Sequence, residues 1–312
     1  MKKYITTYIL LLSTLVISCG EKDEVYPTGK DKNWYSVQDK PGELNQLLYK
    51  IYQETKCPIF YNDTIGQENL GIDHEGNPNI YYETLKIDYE ITQYQHGCTY
   101  ALPVDTSAII ASVHIMQDEV IPLLKANNLF PIGYLITDTV RTSRKDYIPD
   151  IAYRSTRATV IGVNVTFDKK VVNVKEMTAE QKKEWGARIT SLQIENFLTV
   201  NYSKALDAYY KITNDDGKNH YEETIVFFSF LPKPHPIPES YGFLSFAYYE
   251  KTTSIGYNDQ FPDQATDIQD FITLILTKKE ASIKASYEKD WPKVWKKYVY
   301  LKDLLKQASI II

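Results

Sequence analysis

Cysteine, methionine and histidine are scarce in this chain of 312 residues, which holds three, three and five of them. Three cysteines, Cys19, Cys57 and Cys98, are too few for a disulfide scaffold, and an odd number leaves one thiol to be accounted for. The histidines, His74, His96, His114, His220 and His235, include no two that stand four apart. That excludes His-Glu-x-x-His, the helical zinc motif whose two imidazoles share a face. Gly-x-Ser-x-Gly, glycine-rich phosphate loops and Cys-x-x-Cys are also missing, and no histidine is placed to make a serine triad recognisable. Glu222 and Glu223 are adjacent, so on a helix they diverge by about 100° instead of facing one bond. Basic side chains are outnumbered 35 to 40, which argues against a nucleic-acid partner. No repeat of fixed period and no low-complexity tract breaks the chain.

What is present begins with Met1-Lys2-Lys3, the apolar run Ile9 to Ile17 interrupted by Ser13 and Thr14, and then Ser18-Cys19. A basic start, a short apolar run and a small residue make a secretion signal over residues 1–18. The run is far shorter than the roughly 20 residues of a permanent membrane helix. Val16-Ile17-Ser18-Cys19-Gly20 resembles the lipobox of bacterial lipoproteins, which implies cleavage before Cys19 and a lipid on its thiol; an ordinary secretory signal is the alternative. Lipidation would account for the odd cysteine and leave Cys57 and Cys98 either bridged in an oxidising compartment or as two separate thiols.

Cleavage would leave 33 of the 35 basic side chains against 40 acidic ones, a formal charge of about −7. Gly20-Glu21-Lys22-Asp23-Glu24 opens a lipidated flexible tether over 19–40. The acidic cluster resembles the surface-export signal of lipoproteins in bacteria that carry SusC/SusD-type importers, which implies an outer-membrane protein at the cell surface; the periplasmic face is the alternative. With 43% hydrophobic and 24% charged residues, the rest can bury a large core. It reads as a single α+β domain over 41–312, with a sub-boundary left open near 232–238. Tyrosine is abundant, at 26 residues; its flat ring with a polar tip suits sugar or peptide capture as well as half-buried packing.

Leu44, Leu47, Leu48, Ile51 and Tyr52 keep a helical period. Cys57 to Asn62 and Ile80 to Gln93 read as strand, with Gly66 to Pro78 as a loop between them. From Asp105 to Asn127 the apolar positions are helical again, with Pro122 expected to distort the end. Ile132 to Thr137 and Thr159 to Phe167 read as strands around a basic loop with Arg141, Arg144 and Lys145. Thr178 and Gln181 form a capping box that opens a long helix through Trp185, Ile189, Leu192 and Phe197. A second helical stretch follows at Ser203 to Lys211, then a polar turn at Asn214–Gly217. Pro232, Pro234, Pro236 and Pro238 force an extended connector. The last fifty residues read as helices, including Ala265 to Lys278 and Val294 to Gln307. Mixed strand and helix followed by helix argues α+β.

Leu44 to Leu305 resembles the zinc metallohydrolase lipoproteins associated with substrate import, a zincin-like group found beside SusC/SusD-type importers. The residues that carry the resemblance are Pro58-Ile59-Phe60-Tyr61, Met177-Thr178-Ala179-Glu180, Tyr241-Gly242-Phe243-Leu244-Ser245, Asp270-Phe271-Ile272 and Trp295-Lys296-Lys297-Tyr298. It implies a zincin-like mixed sheet with long helices and a zinc motif on the helix after Met177-Thr178. The best placement of that motif is Ile194-Glu195-Asn196-Phe197-Leu198, where Glu195 keeps the carboxylate while Ile194 and Leu198 replace both imidazoles. Aliphatic side chains cannot bind zinc, so the region of Ile194, Glu195, Leu198, Tyr241 and Asp270 reads as a degenerate site with no cofactor. Asp259, Asp263, Asp267 and Asp270, spaced four, four and three, lack the loop of an EF-hand and fit a helix start better than a calcium site.

The reading that follows is a non-catalytic accessory or substrate-binding subunit of an outer-membrane importer, held to the membrane by its lipid and taking a peptide or oligosaccharide. Two alternatives stay open. One is an active zinc metallohydrolase with scattered ligands such as His220 or His235 with Asp270. The other is an unrelated glycan-binding lipoprotein in which Tyr248, Tyr249 and Tyr257 stack on sugar rings.

Overall fold

The computed structural model describes residues 32–87, 97–142, 149–228, 236–253 and 256–312. Cys19, most of the tether, His96, Arg144, Lys145, Pro232, Pro234 and His235 lie outside them. Met1–Trp34 form one unit, of which 32–34 are described and have no regular structure; Tyr35–Ile312 form the other, a single compact α+β body.

Helix α1 (Glu43–Thr55) buries Leu44, Leu48 and Ile51 and stops at Lys56, whose left-handed backbone returns its N–H to the Tyr52 carbonyl. It leads into a four-stranded sheet of order β1 (Ile59–Phe60), β5 (Tyr134–Thr137), β8 (Thr159–Gly162) and β7 (Ala152–Arg154). The first three strands run parallel and β7 is antiparallel to β8. Alternation sends Ile59, Tyr134, Ile136 and Ile161 to one face and Phe60, Leu135 and Val160 to the other. Both central strands are buried on both faces, which is why they read as unbroken apolar runs.

One face packs on α1 and on a helical segment made of α2 (Thr106–Ile115), a π-helical turn Met116–Val120 and α3 (Ile121–Asn127). Asp105 caps α2 by accepting from the Ser107 and Ala108 amides. The widened turn is the distortion expected from Pro122, which has no N–H to return to Asp118; the Ile121 N–H instead reaches back five residues to the Met116 carbonyl. The other face carries Leu85, Ile87, Val140 and Ala158. Cys57 lies in the first core and Cys98 packs against the second, so the sheet separates the thiols and they are not bridged to each other. Burial pushes the Cys57 thiol up to about 12, leaving it an unreactive packing residue.

Helix α4 (Ala179–Asn201) begins with the expected capping box. Its first half lies on the sheet, where Trp185 Nε1 donates to the Gly162 carbonyl at 3.2 Å. Gly186 lets it approach the π turn so closely that a Cβ there would sit 2.5 Å from Glu119 Cβ. Its second half enters a helical core, where Ile194 and Leu198 pack with Ile268, Phe271, Ile272, Val294, Tyr298 and Leu301. That core is closed by α5 (Ser203–Thr213), α7 (Gln264–Thr277), α8 (Glu280–Tyr287) and α9 (Pro292–Gln307). Between α5 and α7 the chain makes β11 (Thr224–Phe228), the short α6 (Pro238–Tyr241), β12 (Tyr248–Thr253) and β13 (Gly256–Gln260), an antiparallel sheet of order β11-β13-β12.

Several local expectations are corrected. Gly66 to Pro78 is mostly strand: β2 (Thr64–Ile72) pairs antiparallel with β3 (Pro78–Thr84), and only the turn between them is loop. There the Asp73 carboxylate accepts from the Glu75 and Asn77 amides and so closes the hairpin tightly. Thr159 to Phe167 is two strands, β8 and β9 (Asn164–Phe167), the latter in a hairpin with β10 (Lys170–Asn173). Arg141 belongs to β6 (Thr139–Thr142), paired with β4 (Cys98–Ala101), instead of to a loop.

Candidate functional site

The functional candidate is a cleft of about 400 Å³ where β7, α4 and α7 meet. Helix α4 lines it with Glu184, Arg188, Leu192 and Glu195, spaced four, four and three so that they form one stripe along the helix. Strand β7 contributes Ala152, Tyr153 and Arg154, with Asp150 and Ile151 just before it. Thr266 and Gln269 come from α7, and Asp263, its N-cap, accepts from the Thr266 amide at 2.7 Å. Thr142 and Thr166 add hydroxyls.

Two guanidinium–carboxylate pairs organise these walls. Arg188 Nη1 donates to Asp270, a residue of α7 that is 6% exposed and also accepts from Ser245 Oγ at 3.4 Å. Burial acts to lower the Arg188 pKa, but the charges of Asp270, Asp150 and Glu184 outweigh it and raise the group above the ordinary arginine value. Glu195, 3% exposed, accepts from Thr199 Oγ1 at 2.9 Å and Gln269 Nε2 at 3.4 Å, with Arg154 Nη2 farther off at 3.8 Å. The lining side chains thus hold four carboxylates, at Asp150, Glu184, Glu195 and Asp263, against two guanidiniums. A pocket so polar suits a ligand rich in hydrogen-bonding groups, because an apolar one would strip these charges of water without replacing it.

The residues expected from sequence are only partly brought together. Glu195 lines the cleft and Asp270 stands behind it through Arg188. Ile194 and Leu198 do not face it; both are fully buried in the helical core. The stretch Ile194 to Leu198 thus faces the cleft only through Glu195; the cleft-facing pairs four apart on α4 are Glu184 with Arg188 and Arg188 with Leu192. Tyr241 sits in a separate aromatic cluster, 4.9 Å from His220 and 4.8 Å from Phe261 between ring centres. The side chains of Tyr248, Tyr249 and Tyr257 lie outside the described residues.

A zinc ion, the group implied by the resemblance, does not fit this donor set. No imidazole lines the cleft, and at the positions four apart on α4 the guanidinium of Arg188 and the aliphatic chain of Leu192 cannot donate a lone pair to a metal. Among the described residues no group of three or more His, Cys, Asp or Glu side chains is placed to hold a metal ion. His220 has both ring nitrogens within 3.1 Å of carboxylates, Glu223 at Nδ1 and Asp216 at Nε2. The four aspartates do not converge either: Asp263 caps α7, Asp267 pairs with Lys297, Asp270 pairs with Arg188, and Asp259 is buried on β13.

Arg154, Glu184, Arg188 and Gln269 were not anticipated. The polar stripe on α4 carried a legible signal, since Glu184, Arg188 and Glu195 interrupt its apolar period at helical spacing. Arg154 carried none, because its place at the cleft depends on the tertiary pairing of β7 with β8. No family model, no curated protein and no solved structure matches this chain.

Proposed function

We propose that this chain is a lipid-tethered accessory or substrate-binding subunit of a SusC/SusD-type outer-membrane importer, displayed at the cell surface and held there through Cys19. Its cleft takes a polar ligand, a peptide or an oligosaccharide, and the scaffold is that of a zincin-like hydrolase without the zinc centre. The observation that supports this reading is the α4 stripe, in which Glu184, Arg188 and Glu195 offer charge and hydrogen bonds, Leu192 adds an apolar contact, and no imidazole is present. Arg154 and Arg188 would meet ligand carboxylates or hydroxyls, while Glu195 and Asp263 would accept from amines or hydroxyls. Tethering such a pocket beside a transporter raises the local concentration of captured ligand.

The chain purified without residues 1–18 and with Cys19→Ser tests the site. Titration with peptide and oligosaccharide panels should find a ligand whose affinity falls at least tenfold in Arg188→Ala. Equal binding by the two proteins would place recognition elsewhere, and stoichiometric zinc together with peptide cleavage would overturn the non-catalytic reading. In cells, a clickable palmitate analogue should label the native chain and not Cys19→Ser.

A further inference from the structure

The described walls of the cleft are short of positive charge. Arg188 donates to Asp270, and Asp150 and Glu184 lie close enough for their charges to act on it as well. One guanidinium thus faces three carboxylates, and Asp270 has taken it up. Asp150 has one oxygen on the Ile151 amide at 2.8 Å, while Glu184 has no hydrogen bond or ion pair among the described residues. Farther along α4, Arg154 and Glu195 offset each other at 3.8 Å. A second observation is independent of charge. Thr166 Oγ1 lines the same cleft, is buried, and has no hydrogen-bond partner among the described residues. Buried hydroxyls are seldom left unmet in a folded protein, so this one marks a place for a polar group from outside the chain.

We infer that the cleft takes a short peptide whose primary ammonium group, from its amino terminus or from a lysine, sits among Glu184, Asp150 and the Thr166 hydroxyl. The inference rests on the reading of the cleft as a ligand site. An ammonium brings three N–H donors and the missing charge, and its hydrogen bonds to carboxylates are about twice as strong as neutral ones. From Glu184 to Glu195 the stripe runs about 16 Å along α4, the span of an extended peptide of about five residues. At its far end the Arg154 guanidinium, in contact with Glu195 only at 3.8 Å, has N–H donors to spare for a peptide carbonyl or carboxylate. A neutral oligosaccharide would leave the surplus charge unmatched. It would also find Tyr153 as the single aromatic ring among the described lining residues on which to stack. A bare metal ion fits no better, because among the described residues no three of the acids converge on one point.

The test is retention of ligands by the full-length chain in detergent, read by mass spectrometry after gel filtration. Three pools of random tetrapeptides are compared: free amino terminus without lysine, acetylated with lysine, and acetylated without lysine. A fourth pool holds neutral oligosaccharides and glucosamine tetramers. At least one of the first two pools should be retained at least tenfold above the third, and the better of them tells a terminal ammonium from a lysine one. Glu184→Gln should cut that ratio below threefold without lowering the melting temperature. So should Asp150→Asn, which keeps an oxygen for the Ile151 amide. Equal retention of the acetylated lysine-free pool, or a ratio indifferent to both substitutions, would overturn the inference and leave the cleft a peptide site. Retention from the sugar pool alone would overturn it and leave the wider reading of a polar-ligand site. Retention from no pool would overturn both.

Discussion

Asp267 and Asp270 lie one turn apart on α7 and have opposite fates. Asp270 stands behind the cleft, paired with Arg188, which lines it and is about a third exposed. Asp267 faces the helical core, where it is 1% exposed and its partner Lys297 is 0% exposed. Lys297 Nζ donates to Asp267 Oδ2 at 2.5 Å and to Thr213 Oγ1 at 3.1 Å. It is boxed by the rings of Tyr209, Phe271, Phe243 and Tyr221, with centroids 4.6–5.8 Å away. Burial pushes the Asp267 carboxyl up and the Lys297 ammonium down, each shift resisted by the partner's charge. Three residues of helix therefore separate an ion pair that holds α7 to α9 from one that stands at the wall of the cleft. The same side-chain chemistry is sealed in one pair and reached by water in the other.

This contrast can be broken by removing each cation in turn. Lys297→Met should cost about 3–5 kcal/mol, because it strands a carboxylate in hydrocarbon, and adding Asp267→Leu should recover most of the loss. Denaturant unfolding measures both, and a Lys297→Met cost no greater than that of Arg188→Ala would abolish the distinction. Gly186→Ala supplies a scale free of charge effects: the added methyl meets Glu119 Cβ, and overpacking of this kind should cost about 1–3 kcal/mol in the same assay. Arg188→Ala should lower stability less than either, since water entering the cleft can solvate Asp270, while ligand affinity falls at least tenfold.

The smallest effect belongs to a third, exposed aspartate. The Lys175 ammonium, helped by Ser107, holds the Asp105 carboxyl well below its ordinary value of 3.8. A depressed folded-state value means that the stabilisation is present above that ordinary value and is lost as pH falls toward the folded one. Melting temperatures taken from neutral pH to pH 3 should therefore fall slightly more steeply for the native chain than for Asp105→Asn.

Sequence showed the fold class and the helices well, for physical reasons visible in particular residues. The Thr178 capping box and the period of Trp185, Ile189 and Leu192 are local signals, as is the missing amide of Pro122, and local signals survive without tertiary knowledge. The hairpin at Thr64–Thr84 was hidden because its first strand is rich in Gly, Asn and Glu and buries almost nothing, so no alternation of apolar and polar residues could appear. The site was half legible. Of the residues singled out in the sequence, Glu195 lines the cleft and Asp270 lies behind it; which stripe of α4 faces the cleft could not be read, because a shift of one residue turns a helix position by about 100°. Ile194 and Glu195 differ by that single step, and one is core while the other is cleft wall.

Helix α4 runs for 23 residues, about 34 Å, and is rooted at one end in the sheet and at the other in the helical core. Neither half can come apart without stripping the apolar coat from a rod that the other half still grips. Residues 35–312 should accordingly lose their structure in a single calorimetric peak despite their several cores. The cleft wall carried on that rod cannot swing like a hinge, so whatever occupies it meets a mould already set.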